Sequence, residues 1–242
     1  MPGQTKIAII AALEREVRPL VKDWAVSERQ HGGRSFRFFE HGDAVLVCGG
    51  IGSQAARRAT EAAIHLYQPE VVVSTGFAGA LRNDLRVGSV VTPRTVIDGS
   101  DGSRFDAGGA GVLLSYDSVA DDTTKLRLAR SWGADAVDME AAAVARGAEA
   151  RGVRFMAVKA ISDASDASLP PLQRFVASDG SFQAGRFALY AAIRPWLWGR
   201  VLQLARNTAK ASRELCQALA SIHEMRTAAA EEVLHAPAAV KS

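Results

Sequence analysis

Apolar runs bounded by turn residues recur along the first two thirds of the chain. Ile7 to Ala12, Ala44 to Cys48, Val71 to Thr75, Val112 to Ser115 and Phe155 to Ile161 are nearly continuous, and Gly88 to Pro93 is a weaker example. Short runs without polar alternation predict strands buried on both faces. Helical periodicity fills the intervals. Ala55, Ala59, Ala62, Ala63 and Leu66 share one face of a predicted helix over 54–66, which Pro69 stops. A second helix is predicted over 123–132 with Asp122 as its cap, and an alanine-rich third opens after Asp138-Met139-Glu140. Val17, Leu20 and Val21 mark an amphipathic turn, and His41-Gly42-Asp43 reads as a hairpin turn between Arg34–Glu40 and Ala44–Cys48. Residues 98–111 are glycine-rich and polar, hence a predicted loop. Strands alternating with helices predict a three-layer αβα fold around a mixed, mostly parallel central sheet.

The last third differs. Residues 182–193 and 196–223 predict two helices separated by Pro195, carrying Arg186, Arg194, Arg200, Arg206, Lys210, Arg213 and Arg226 against Glu214 and Glu224. The expected division is an α/β domain over 1–193, a helical C-terminal extension packed on it over 194–226, and a frayed tail over 227–242.

Composition narrows the class only slightly. A chain of 242 residues can bury a substantial core, and 48% apolar with 23% charged residues is ordinary for a globular protein. A net charge of +3 without a basic run predicts no nucleic-acid partner. Cys48 and Cys216 lie far apart without metal-ligand spacing, as expected of reduced thiols in a cytoplasmic protein, with no metal site. MPGQTKIAII lacks a signal-peptide core, and no stretch approaches the ~20 apolar residues of a membrane span.

The chemistry concentrates between Ala134 and Ser165. Asp138-Met139-Glu140 sits at the mouth of the alanine-rich helix, and Ser162-Asp163 follows the strand from Phe155 to Ile161. Ligands of open α/β sheets bind outside the carboxyl ends of the strands, so Asp163 and Glu140 can face one crevice. Both acids also fit a structural role near helix N-termini. Gly50-Ile51-Gly52-Ser53-Gln54-Ala55 matches the dinucleotide fingerprint. The ribose-binding acid it requires is missing from the end of the next strand, since Glu70 precedes that strand. The alternative is a tight strand-to-helix turn.

VDMEAAAVA followed by VKAISDASD resembles the nucleoside phosphorylase and nucleosidase superfamily, nearest its methylthioadenosine/S-adenosylhomocysteine nucleosidase branch. IAIIAALEREV (Ile7 to Val17) and STGFAGALRNDLRVGSVV (Ser74 to Val91) resemble two further motifs in the same order, so the likeness spans Lys6 to Asp166. It implies a nucleoside phosphorylase-like fold, cleavage of a ribosyl–purine bond, no cofactor, and a homodimer. A purine leaves poorly unless a ring nitrogen is protonated, which asks for a carboxyl group that keeps its proton in a partly dry pocket. The resemblance gives that role to Asp163, oriented by Ser162. It makes Glu16 the base that activates water, with Glu14 as the fallback, and Glu140 the holder of the ribose hydroxyls over Met139. Asp138, Gly79 in the TGFAGA stretch, and Ile51 of the GIG turn belong to the same expected pocket.

Departures from the family pattern concern the substrate. Phe77 stands where nucleosidases carry a serine, Val119 where they carry an aromatic residue that stacks on adenine, and the segment from Val91 to Leu113 is short. These changes suit a bulkier, greasier ligand than methylthioadenosine. Hydrolysis is favoured by ALEREV. Phosphorolysis, with phosphate as co-substrate, stays open through Arg18 or Arg57, although the glycine–proline–arginine phosphate motif is absent. The AVDMEAAAVA stretch and the RPWLW…LARNT tail resemble hopanoid-associated phosphorylase-like proteins, which implies an adenosylated lipid as substrate. A tail bearing Trp196 and Trp198 among arginines would then make peripheral contact with the inner membrane face. A non-catalytic nucleoside-binding protein is the alternative of another class.

Overall fold

The computed structural model describes residues 6–167, 172–177 and 179–235, with side chains through Ser221. Eleven strands form one mixed sheet with helices on both faces. In chain order its elements are β1 (Ile7–Ala11), α1 (Glu14–Val21), β2 (Ala25–His31), β3 (Arg34–His41), β4 (Ala44–Cys48), α2 (Ser53–Tyr67), β5 (Val71–Ala80) and β6 (Val90–Val91). There follow β7 (Thr95–Asp98), β8 (Arg104–Asp106), β9 (Val112–Ser115), α3 (Asp122–Trp132), β10 (Ala136–Asp138), α4 (Ala141–Glu149), β11 (Arg154–Asp163), α5 (Ala184–Ala192) and α6 (Trp198–His235). Short 3₁₀ turns cover Leu172–Phe175 and Pro195–Leu197.

The spine is the long parallel pair β5–β11, in register from Val71↔Arg154 to Ala78↔Ile161. The other edge of β5 is shared. β1 pairs with Val71 to Ser74, and β10 pairs antiparallel with Gly79 and Ala80. Between these two partners the edge from Thr75 to Ala78 is left open, and the crevice forms there. It is a split of the kind that makes ligand sites in open α/β sheets. Gly76 stands in this gap at φ +133, and a Cβ there would come within 2.9 Å of the Glu16 carboxylate. Both the backbone conformation and the close approach therefore demand glycine.

Parallel pairings hold β1, β4, β5 and β11 together, while β2, β3 and β8 add antiparallel flanks. β2 lies where the sequence shows no strand pattern, because AVSERQH is an edge strand with no side to bury. β8 falls within the predicted 98–111 loop, and the 88–93 run shortens to Val90–Val91. Asp121, not Asp122, caps α3, accepting from the Thr124 N–H at 2.8 Å. Ser162 and Asp163 are the last two residues of β11 and do not lie just past the strand.

The C-terminal part is integral to the core. Ala211, Leu215 and Leu219 of α6 pack with Val17, Val21, Leu46, Val73 and Val158. Pro195 does separate two helices, but α6 continues as helix to His235, through the first residues of the expected tail. Residues 236–242 of that tail lie outside the described residues. Both cysteines are free.

Candidate active site

One cavity of about 370 Å³ opens at the split in the sheet. The ten residues singled out in the sequence all line it: Glu16, Ile51, Phe77, Gly79, Val119, Asp138, Met139, Glu140, Ser162 and Asp163. Glu14, the fallback base, points elsewhere and pairs with Arg37 at 3.0 Å on the surface.

Each acid is placed by a different local device. Glu16 is the third residue of α1, and its carboxylate turns back to accept the Leu13 N–H at 3.3 Å, the usual reach of an acid at that helix position. The turn buries it to 6% exposure, and desolvation pushes its pKa above the ordinary glutamate range. Glu140 sits at the N-terminus of α4. It accepts from the Gly52 N–H at 2.7 Å and the Met139 N–H at 3.3 Å. Burial first, and the neighbouring Asp138 second, push its pKa up to about 7. The dinucleotide-like turn thus spends a backbone donor on Glu140. Gly50 and Gly52 take φ +102 and +94, which fits the tight-turn alternative.

Asp138 is held by the Ser115 hydroxyl at 2.6 Å, by the Ala141 N–H at 2.9 Å and by the Lys159 ammonium at 2.9 Å. The Lys159–Asp138 pair is fully buried. Asp163 accepts from Ser162 Oγ at 2.6 Å, so the serine does orient it, and it also contacts the ammonium of Lys125. Lys125 is itself 1% exposed and donates to the Ala164 carbonyl at 2.6 Å. The cavity is therefore lined by four acids and one buried lysine, Lys125, while Lys159 pairs with Asp138 without lining it. Both lysines are committed to the aspartates, and among the described residues neither Glu16 nor Glu140 has a cation at ion-pair distance.

Sequence reasoning missed the two lysines and one whole wall. Lys159 carries a signal in hindsight, because a lone lysine inside FMAVKAI must find a buried carboxylate. Lys125 carries none: DDTTK reads as the solvated start of a helix. The missed wall is apolar and comes from residues 172–208. Leu172, Val176, Phe182, Phe187, Val201, Leu204 and Ala205 line it, with Arg15 over the Phe182 ring at 4.8 Å. Neither Arg18 nor Arg57 lines the cavity, and Arg57 pairs with Glu61 at 3.0 Å. Among the described residues no cluster of three or more histidine, cysteine or acidic side chains is arranged to hold a metal ion.

A three-layer α/β fold with buried acids at a split in the sheet defines the class of nucleoside phosphorylases and nucleosidases, and comparison with known proteins agrees. The sequence profile described as the phosphorylase superfamily matches residues 6–121 and 109–183. The chain belongs to that superfamily. It is 30% identical over 201 residues to the 5′-methylthioadenosine/S-adenosylhomocysteine nucleosidase of Actinobacillus succinogenes, covering 66% of this chain and 86% of that protein. The match to the enzyme of the same name from Hydrogenovibrio crunogenus is 36% identical over 94 residues and spans 40% of that protein's length. In fold it is similar to the Helicobacter pylori 5′-methylthioadenosine/S-adenosyl homocysteine nucleosidase, with a TM-score of 0.69 at 18% identity over 92% of this chain and 99% of that one.

Proposed function

We propose that the protein hydrolyses the N-glycosidic bond of a 5′-substituted adenosine and releases adenine. The observation that carries this reading is the charge arrangement of the cavity. Lys125, which lines it, and Lys159, buried against Asp138, are each paired with an aspartate, so among the described residues Glu16 and Glu140 are buried carboxyl groups with no cation at ion-pair distance. Breaking a ribosyl–purine bond makes the ribose cationic, and buried carboxylates stabilise that charge as it develops. Glu16 takes a proton from water as the water oxygen bonds to C1′. Asp163 delivers a proton to the purine ring, and Glu140 accepts from the ribose hydroxyls. A raised glutamate pKa suits a base working near neutrality.

The same charge arrangement favours water over phosphate. A phosphate dianion at C1′ would meet the two glutamates, and Arg15, the arginine that lines the cavity, is stacked on Phe182. The protein then needs no cofactor.

The wall from residues 172–208 gives the 5′ substituent an apolar site, and Phe77 adds to it. A lipid-linked adenosine fits this chemistry. Leu189, Ile193, Trp196, Trp198 and Leu202, each more than half exposed, lie on the outside of the helices whose inner faces make that wall. This patch would let the protein lie against a membrane surface and take the substrate's apolar end from it. No described helix is long and apolar enough to cross a membrane. A homodimer is the assembly that goes with this reading.

The test is adenine release from adenosines whose 5′ group ranges from hydroxyl to a long alkyl chain, with and without phosphate. Release without phosphate, improving with chain length, is expected. Strict dependence on phosphate would replace hydrolysis by phosphorolysis, and no release from any substrate would overturn the assignment. Vesicle co-sedimentation, with and without anionic lipid, and light scattering test the membrane and dimer readings.

A further inference from the structure

The acid that must protonate the purine does not stand alone. Lys125, from the first turn of α3, reaches beneath the strand ends, contacts Asp163 Oδ2, donates to the Ala164 carbonyl at 2.6 Å and lines the same cavity. The fold makes room for this pair at Gly79: a Cβ there would lie 2.9 Å from Asp163 Oδ2 and 3.1 Å from Lys125 Cε. Burying an ammonium solely to brace a carboxylate is expensive, because two apolar residues would serve packing as well. Ser162 already orients the other carboxylate oxygen at 2.6 Å. We propose that Lys125 is the proton reservoir of the site, acting through Asp163 as the residue that keeps the general acid supplied.

The steps balance as follows. The C1′–N9 bond breaks and its electron pair passes to the purine. Asp163 gives a proton to the purine N7 as a proton moves from the Lys125 ammonium to Asp163. Water forms the new C1′–O bond, and its proton goes to Glu16. Exchange with solvent then carries a proton from Glu16 back to Lys125. This inference rests on the proposed hydrolysis.

The test compares Lys125→Met and Lys125→Arg with the parent across the pH range, on whichever 5′-substituted adenosine the parent cleaves. The methionine variant should lose ~10²-fold or more in kcat with KM little changed. Its alkaline limb should move to lower pH, since the ammonium in contact with Asp163 is gone. The arginine variant keeps the charge on Asp163 but does not release its proton, so its kcat should also fall. If the methionine variant does not fold, the arginine variant carries the decision. A folded variant with the parent's pH profile and a kcat within threefold would overturn the reservoir role and leave the hydrolysis intact. A parent that releases no adenine would overturn both.

Discussion

At the scale of single residues the site separates by the fate of its acids. Asp163→Asn keeps the shape and the Ser162 contact but has no acidic proton to give. Turnover should fall by ~10²–10⁴ while ligand affinity holds, as single-turnover and binding measurements would show. Glu16→Gln should be severely impaired and Glu14→Gln nearly normal, since Glu14 is on the surface with Arg37. Equal losses would remove Glu16 from the role of base. Glu140 also carries a stability prediction. Its folded pKa, about 7, lies above the ordinary 4.5, so the folded protein binds the extra proton between those values. This contribution is present below about pH 4.5 and is lost as pH rises through 7. Glu140→Gln should therefore melt higher than the parent above pH 7 while losing activity. A melting temperature unchanged or lowered at pH 8 would contradict the buried-carboxylate account.

At the scale of elements the strong signals in the sequence were those with a simple cause. β1, β4 and β9 announce themselves as apolar runs because both their faces are covered, and the observed strands match them to within a residue. α2 is visible in its alanine face, and eight of the ten cavity residues, the acids among them, in four motifs that keep their order. What escaped was whatever depends on tertiary partners. β2 has no buried face to impose a pattern. β10 is three residues long and exists because it completes the edge of β5. The inward-facing residues of α5 and α6 look like those of any packed helix until the fold places them at a pocket. Two consequences can be measured. Lys159→Met leaves Asp138 as a lone buried charge and should cost ~3–5 kcal/mol, read from chemical denaturation. Leu204→Trp narrows the apolar side of the cavity, so KM should rise for long 5′ substituents by about tenfold and stay near the parent value for short ones.

At the scale of the whole molecule, one hydrogen bond ties the two ends of the chain together. Ser212 Oγ, in α6, donates to the Glu16 carbonyl at 2.9 Å, and Cys216 lies against the same carbonyl. Leu215, fully buried, packs in the core cluster that includes Val17 of α1. The turn that buries Glu16 is thus braced by a helix nearly 200 residues further along, and that helix also supplies part of the apolar wall. During synthesis the elements from β1 to β11 emerge first, with Glu16, Glu140 and Asp163 already among them. Until α6 is made the crevice has one side missing, and Glu16 is set on a turn without its brace. The pocket is therefore closed only by the last third of the chain, and a ribosome must carry translation past Ser212 before every element that builds it exists.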